Sequence, residues 1–215
     1  MTAPSLPARR TVVVATGNRN KLRELRALFA DLPIDLIAVS ETSSSPIHVV
    51  EDQPTFEGNA KKKAMVVANA LAMPTIADDS GLEVDVLGGE PGVRSARYAG
   101  EGATDAENNR KLITALDSHG GPGPRAARFR CVLVLHDPFA PLTPLVSQGT
   151  CEGEITTNAR GAFGFGYDPI FLVRELGGHK TMAELSDAEK NTISHRAQAA
   201  RALLPQLRRW LVGEV

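Results

Sequence analysis

Two adjacent aspartates, Asp78 and Asp79, follow the apolar run of residues 75–77 and precede Ser80, Gly81 and a second apolar stretch. A chain that is building core avoids unpaired carboxylates, because burying a charge without compensation is costly. Compensation comes from a basic side chain, backbone N–H groups, a metal ion, or water at a surface turn. Successive strand residues point to opposite faces, so one aspartate can face a site while the other binds scaffold or solvent. Open α/β sheets place ligands just outside strand carboxyl ends, and the pattern puts this pair at such an end. An Asx turn explains an isolated Asp-Asp-Ser-Gly equally well.

Four other segments carry possible chemistry. In Thr16-Gly17-Asn18-Arg19-Asn20-Lys21 a strand ends, a small loop turns and a helix begins. Free N–H groups and the dipole at a helix start suit an anion, and Lys21 adds a point charge. The spacing is not that of a Walker A loop, and a plain connection capped by Asn18 fits the same residues. Glu51 and Asp52 precede a helix bearing Lys61, Lys62 and Lys63. Consecutive helical residues fan out by about 100°, so one lysine can face a site while its neighbours are solvated. Carboxylates beside a phosphate imply Mg²⁺, which takes few protein carboxylates and keeps phosphate oxygens and waters. Phe163 to Asp168 offers ring faces on a glycine-rich turn, suited to stacking on a base or simply to anchoring the loop. Lys190, Ser194, His195 and Arg196 fall together near the C-terminus; Arg196 carries only hydrogen-bond donors.

The rest of the chain must position these groups. Its 215 residues fit one domain, or one domain with a lobe. With 42% hydrophobic and 23% charged residues the composition is that of a soluble globular chain. The net charge of -1 argues against broad nucleic-acid binding. Cys131 and Cys151 show no metal-ligand spacing and read as reduced thiols. Residues 1–10 lack the apolar core of a secretory signal and read as a flexible leader. No apolar stretch approaches the ~20 residues of a membrane span, so a cytoplasmic location is expected.

The periodicities predict strand 11–16, a helix over 19–32 and strand 33–40, the β-α-β opening of an α/β sheet with right-handed crossovers. A helix over 55–71 follows, then a strand over 75–78, a half-exposed strand over 82–86, and a helix over 105–117 with Thr104 and Glu107 at capping-box spacing. Residues 128–137 and 144–155 read as two strands, plausibly an antiparallel pair. One helix is predicted over 186–204 with a capping box at Ser186 and Glu189, and Pro205 is expected to kink or restart it.

In series, the segments 15–21, 55–64, 76–100, 163–171 and 188–199 resemble the inosine triphosphate pyrophosphatase family, also described as dITP/XTP pyrophosphatases. The resemblance runs from about Thr11 to Leu211; Asn20, where many relatives have Gly, is a local departure. It implies a long, mixed, curved α/β sheet flanked by helices, two lobes within one domain over 11–215, and a central active-site cleft. It also implies a homodimer, a purine nucleoside triphosphate as substrate, and no nucleic-acid or membrane partner. Carried over by position, Thr16, Gly17, Asn18, Arg19, Asn20 and Lys21 would hold the triphosphate. Glu51 and Asp79 would ligate Mg²⁺, with Asp79 also the proton acceptor. Ser80 would contact the nucleotide, and Lys63 would help neutralise phosphate. Phe165, Gly166, Tyr167 and Asp168 would line the base site, completed by Lys190, His195 and Arg196.

The implied reaction is attack of water on the α-phosphorus of ITP, dITP or XTP with pyrophosphate leaving. On this reading Asp79 is balanced by Mg²⁺ and substrate, Asp78 by scaffold hydrogen bonds, and Arg196 or His195 reads the 6-oxo group. A broader pyrophosphatase acting on other modified nucleotides is the alternative. A silent nucleotide sensor is disfavoured by the presence of both Glu51 and Asp79.

Overall fold

The computed structural model describes residues 9–42, 47–119, 125–140 and 142–214. The leader before Arg9 and parts of three expected loops, at 43–46, 120–124 and 141, lie outside them. Arg9 and Arg10, expected in the leader, are tied to the sheet: Arg9 Nε donates to Asp35 at 2.7 Å, and Arg10 opens the first strand.

Strand β1 (Arg10–Val14) contains Val12, Val13 and Val14, all fully buried, as a strand covered on both faces must be. Asn18 caps helix α1 (Arg19–Leu28) by accepting from the N–H groups of Asn20 and Lys21, and Leu22 and Leu25 face inward. The helix ends at Leu28, one turn short of the expected boundary. Strand β2 (Ile34–Ala38) pairs parallel with β1. Helix α2 (Phe56–Leu71) starts under the Thr55 cap and stops at Ala72, which takes the left-handed conformation.

Strand β3 (Thr75–Val84) departs from the sequence expectation. One continuous strand replaces the two short ones, so Asp78 and Asp79 lie in its middle rather than at a carboxyl end. The cause is its partner: β4 (Ala126–His136) pairs antiparallel along the whole of β3, from Thr75↔His136 to Val84↔Ala127. Helix α3 (Asp105–Ser118) intervenes, with the expected capping box. Strand β5 (Leu145–Ile155) pairs antiparallel with β4, as expected, and the short β6 (Phe171–Val173) closes the sheet. The order β2-β1-β3-β4-β5-β6 is a long mixed α/β sheet, parallel at one end and antiparallel at the other.

The predicted helix over 186–204 is two helices, α4 (Asp187–Ile193) and α5 (His195–Leu211). Ser194 separates them in an extended conformation, ending one and capping the other through Ala197 N–H. Pro205 does not restart α5; it sits on the exposed face, where the bond its missing N–H forfeits leaves a carbonyl open to water.

On the α1/α5 face the core comes in two pieces. Ile76, Leu133 and Leu135 pack with α1, β2 and α5, whereas Leu82, Val84 and Phe129 pack with Ile170, Phe171 and Met182. Asp78 and Ser80 lie between the pieces, by strand alternation. The opposite face carries Ala77 under α2 in a third cluster. Both cysteines are free and buried. Among the described residues no helix is long and apolar enough to cross a membrane.

Gly149 of β5 lets α5 lie directly on the sheet. A Cβ there would collide with the backbone of His195 and Ala199. Gly149→Ala is therefore expected to cost roughly 1–3 kcal/mol through overpacking and to displace the start of α5. Urea unfolding midpoints of the two proteins measure it.

Candidate active site

The two aspartates face opposite ways, as strand alternation requires. Asp78 is almost fully enclosed on the α1/α5 side: Arg196 Nε donates to its Oδ2 at 2.7 Å, and Lys21 Nζ lies 2.6 Å from its Oδ1. Ser80 Oγ donates to Asp78 Oδ1 at 2.9 Å, and Cys131 Sγ to Oδ2 at 3.2 Å. Burial pushes the Asp78 carboxyl upward, yet Arg196 and Lys21 together outweigh it and hold the group well below the usual range. Scaffold hydrogen bonds thus hold this aspartate, and those from Arg196 are also ion pairs.

Asp79 faces α2. Lys63 Nζ donates to Asp79 Oδ1 at 2.7 Å, to Glu51 Oε1 at 2.8 Å and to the Asp78 carbonyl at 2.9 Å, so all three ammonium hydrogens are engaged. Asn59 Nδ2 adds a bond to Asp79 Oδ2 at 3.3 Å. Of the three consecutive lysines, Lys61 pairs with exposed Glu57 and Lys62 with exposed Asp52; only Lys63 turns inward. Burial raises the Asp79 pKa, with Glu51 adding to the rise and Lys63 opposing it. For Glu51 burial also pushes upward, but Lys63, Lys21 and Arg97 leave it lowered. Arg97 further donates to the Glu51 carbonyl at 2.8 Å, fixing the segment that carries this carboxylate.

A cavity of about 400 Å³ is lined here by Thr16, Gly17, Asn18, Lys21, Glu51, Lys63, Asp78, Asp79 and Ser80, among others. A second, of about 120 Å³, is lined by Phe165, Gly166, Tyr167, Asp168, Lys190, His195 and Arg196. The two share Asn18, Lys21, Ser80 and Ala96, so they are neighbouring compartments of one cleft. Every expected site residue lines it except Arg19 and Asn20, whose side chains line neither compartment. Three loop N–H groups are already engaged, Asn20 and Lys21 by the Asn18 side chain and Asn18 by Thr16 Oγ1. An anion there relies on Lys21 and the remaining donors.

Residues 12–206 match the Ham1 family. The chain belongs to the Ham1 family. A relative from Desulfotalea psychrophila named dITP/XTP pyrophosphatase is 46% identical over 203 residues, 93% of this chain and 87% of that one. One of the same name from Escherichia coli strain K12 is 49% identical over 197 residues, 92% of this chain and 98% of that one. Among solved structures, a HAM1 protein from Coxiella burnetii superposes with a TM-score of 0.82 at 42% identity, covering 93% of this chain and 99% of that one. A nucleoside-triphosphatase, dITP/XTP pyrophosphatase, from Mycobacterium abscessus gives 0.71 at 36% identity, covering 91% and 99%.

In this Ham1 chain a buried charge network joins the two compartments through a residue absent from the sequence expectations, Glu24. It accepts from Arg196 Nη1 at 2.5 Å and Lys190 Nζ at 3.1 Å, and Lys190 also reaches Asp168 at 2.9 Å. The available signal was an acidic residue between Leu22 and Leu25 on the apolar stripe of α1. Arg196 makes four hydrogen bonds, to Glu24, Asp78 and Ser80. His195 stacks on Phe129 with ring centroids 4.8 Å apart, and its buried Nδ1 has no partner among the described residues. Burial, reinforced by Arg196, depresses the His195 pKa well below the ordinary value, so the imidazole is neutral.

Burial pushes Glu24 upward, but Arg196 and Lys190 prevail and lower its pKa from 4.5. A depressed folded pKa stabilises the fold above the unfolded value, and the contribution is lost as pH falls through the folded one. Glu24→Ala leaves two buried cations short of a partner and should cost roughly 3–5 kcal/mol. Glu24→Gln should lose less stability than wild type as pH drops below about 4.5. Thermal unfolding from pH 7 to 3 tests both; parallel curves for wild type and Glu24→Gln would exclude Glu24 from the acid response.

Proposed function

We propose that the cleft hydrolyses non-standard purine nucleoside triphosphates, ITP, dITP and XTP, to the monophosphate and pyrophosphate. The chain is a nucleoside-triphosphate pyrophosphatase of the Ham1 family, with relatives named for that activity at 46% and 49% identity, and its reaction cleanses the nucleotide pool. One observation carries the assignment of ends. Glu51 and Asp79 converge on the Lys63 ammonium in one compartment, while Phe165 and His195 wall the adjoining one.

The donor set fits Mg²⁺. Two carboxylates converge on one cationic point, and among the described residues no group of three His, Cys, Asp or Glu is arranged to hold a metal alone. A hard cation that takes one or two carboxylates and completes its shell with phosphate oxygens and water suits that arrangement. Glu51 and Asp79 would hold it. Bound there, Mg²⁺ would supply positive charge to the phosphate oxygens.

The chain's own groups do the rest. Lys21 and Lys63 place two ammonium charges beside the carboxylates, where they stabilise negative charge growing on the leaving pyrophosphate. Asp79 takes the proton of the attacking water as it departs toward the α-phosphorus. The Phe165 ring stacks on the base. A 6-oxo purine offers an acceptor to His195, Arg196 and Lys190, whereas adenine would turn its amino donor toward donors. Sites built on buried polar pairing discriminate by as much as ~10⁴. Most of Arg196's hydrogen bonds go to Glu24 and Asp78, which makes His195 the freer reader. A homodimer and a cytoplasmic location belong to the same proposal, on the family resemblance.

The test is hydrolysis of ITP, XTP, dITP, GTP and ATP with and without Mg²⁺, with products separated by ion exchange. Monophosphate and pyrophosphate should form from the first three and scarcely from ATP; diphosphate with orthophosphate would remove attack at the α-phosphorus. Asp79→Asn should lower turnover by about 10²–10⁴ with the fold intact, which circular dichroism of the two proteins checks.

A further inference from the structure

The loop carrying Phe165 is held from two sides. From within, Asp168 Oδ2 accepts from Phe165 N–H at 3.0 Å and is itself fixed by Lys190. From the other side the grip is on Gly166. Its N–H donates to Asp105 Oδ2 at 2.7 Å, and its carbonyl accepts from Asn109 Nδ2 at 3.1 Å. Asp105 and Asn109 are one turn apart on α3, hence on one face of it. Both polar backbone atoms of a single loop residue therefore end on one helical turn.

The orientation of Asn109 is dictated by that loop. Its Oδ1 is buried and finds no partner among the described residues, and rotating the amide would set oxygen against the Gly166 carbonyl. Gly166 itself adopts a φ of 64°, a conformation that side chains strain to reach. The next residue adds a side-chain anchor away from α3: Tyr167 Oη donates to the Ser95 carbonyl at 2.9 Å. Within this frame the Phe165 ring sits 5.3 Å from Lys190 Nζ and 5.8 Å from the Arg196 guanidinium.

We infer that Asn109, outside the base compartment, and Asp105, which also lines it, position the nucleotide base: through Gly166 they fix the Phe165 wall, and so govern nucleotide affinity rather than the chemical step. The inference rests on the pyrophosphatase reading above. Asp105 also stands at the start of α3, where a negative charge favours the helix dipole. The two roles separate by substitution. Asp105→Asn keeps an oxygen for Gly166 N–H and loses the charge, whereas Asp105→Ala loses both. Asn109→Asp replaces the donor to the Gly166 carbonyl with an acceptor; Asn109→Ala only removes it.

The experiment is steady-state hydrolysis of dITP by the full-length variants, inhibition by inorganic pyrophosphate, and amide exchange at Gly166 followed by NMR. Asp105→Ala should raise KM about 3- to 10-fold, the loss of roughly one hydrogen bond, with kcat within about twofold. Asp105→Asn should recover most of that loss, and Asn109→Asp should be at least as impaired as Asn109→Ala. Pyrophosphate, which needs only the phosphate compartment, should inhibit every variant equally. Gly166 exchange should quicken in Asp105→Ala but not in Asp105→Asn.

Unchanged KM, a fall confined to kcat, weakened pyrophosphate inhibition, or an Asp105→Asn variant as impaired as Asp105→Ala would each overturn the inference. If the wild-type chain turns over neither dITP nor XTP, it is the pyrophosphatase reading that fails. Gly166 exchange then still decides whether Asp105 holds the loop.

Discussion

A carboxylate enclosed in the middle of a ten-residue strand is the constraint around which the molecule is arranged. Asp78 exists there only because Arg196, 118 residues further on, brings a guanidinium to it, and Lys21 an ammonium. Arg196 in turn is tolerated in the interior because Glu24 takes its other edge. Removing water from these ions is expensive, and good geometry with complete hydrogen bonding is what offsets it. The apolar core on this face accordingly divides in two, and the cleft opens at the division.

The opposite faces of one strand thereby acquire different electrostatics. Asp78 is clamped by permanent cations and spends its charge on holding α1 and α5 to the sheet. Asp79, next in sequence, has one lysine, a second carboxylate nearby and an upward-shifted pKa. Strand alternation thus gives adjacent, identical side chains a scaffold role and a chemical one. The peptide bond between them ties the precision of the second to the rigidity of the first.

Much of this was legible in the sequence, for identifiable reasons. The triple valine of β1, the caps at Asn18, Thr104 and Ser186, and the inward turn of one lysine among three are local effects, and each is written in a short window. Partner-dependent features were not. Asp78 and Asp79 look like the end of a strand because local preference for a turn competes with pairing, and the ladder with β4 decides it. Glu24 looks like surface charge until a cation is known to arrive from a distant helix. Pro205 breaks helices in general, but on an exposed face its cost is small enough for packing of Leu203, Leu207 and Trp210 to carry the helix through. The sharing of Gly166 between α3 and the aromatic loop joins residues 61 and 57 positions apart, beyond any periodicity.

Ser194 has a geometric consequence. In an unbroken helix, residues 190 and 196 would point about 120° apart around the axis, at roughly 100° per residue. Only one of them could then face α1. With the chain extended at Ser194, the two helices take separate axes, and Lys190 and Arg196 approach the two oxygens of Glu24 from different sides. One hydroxyl-capped break thus lets a single carboxylate neutralise two cations while each of them also holds an aspartate of its own, Asp168 for the lysine and Asp78 for the arginine.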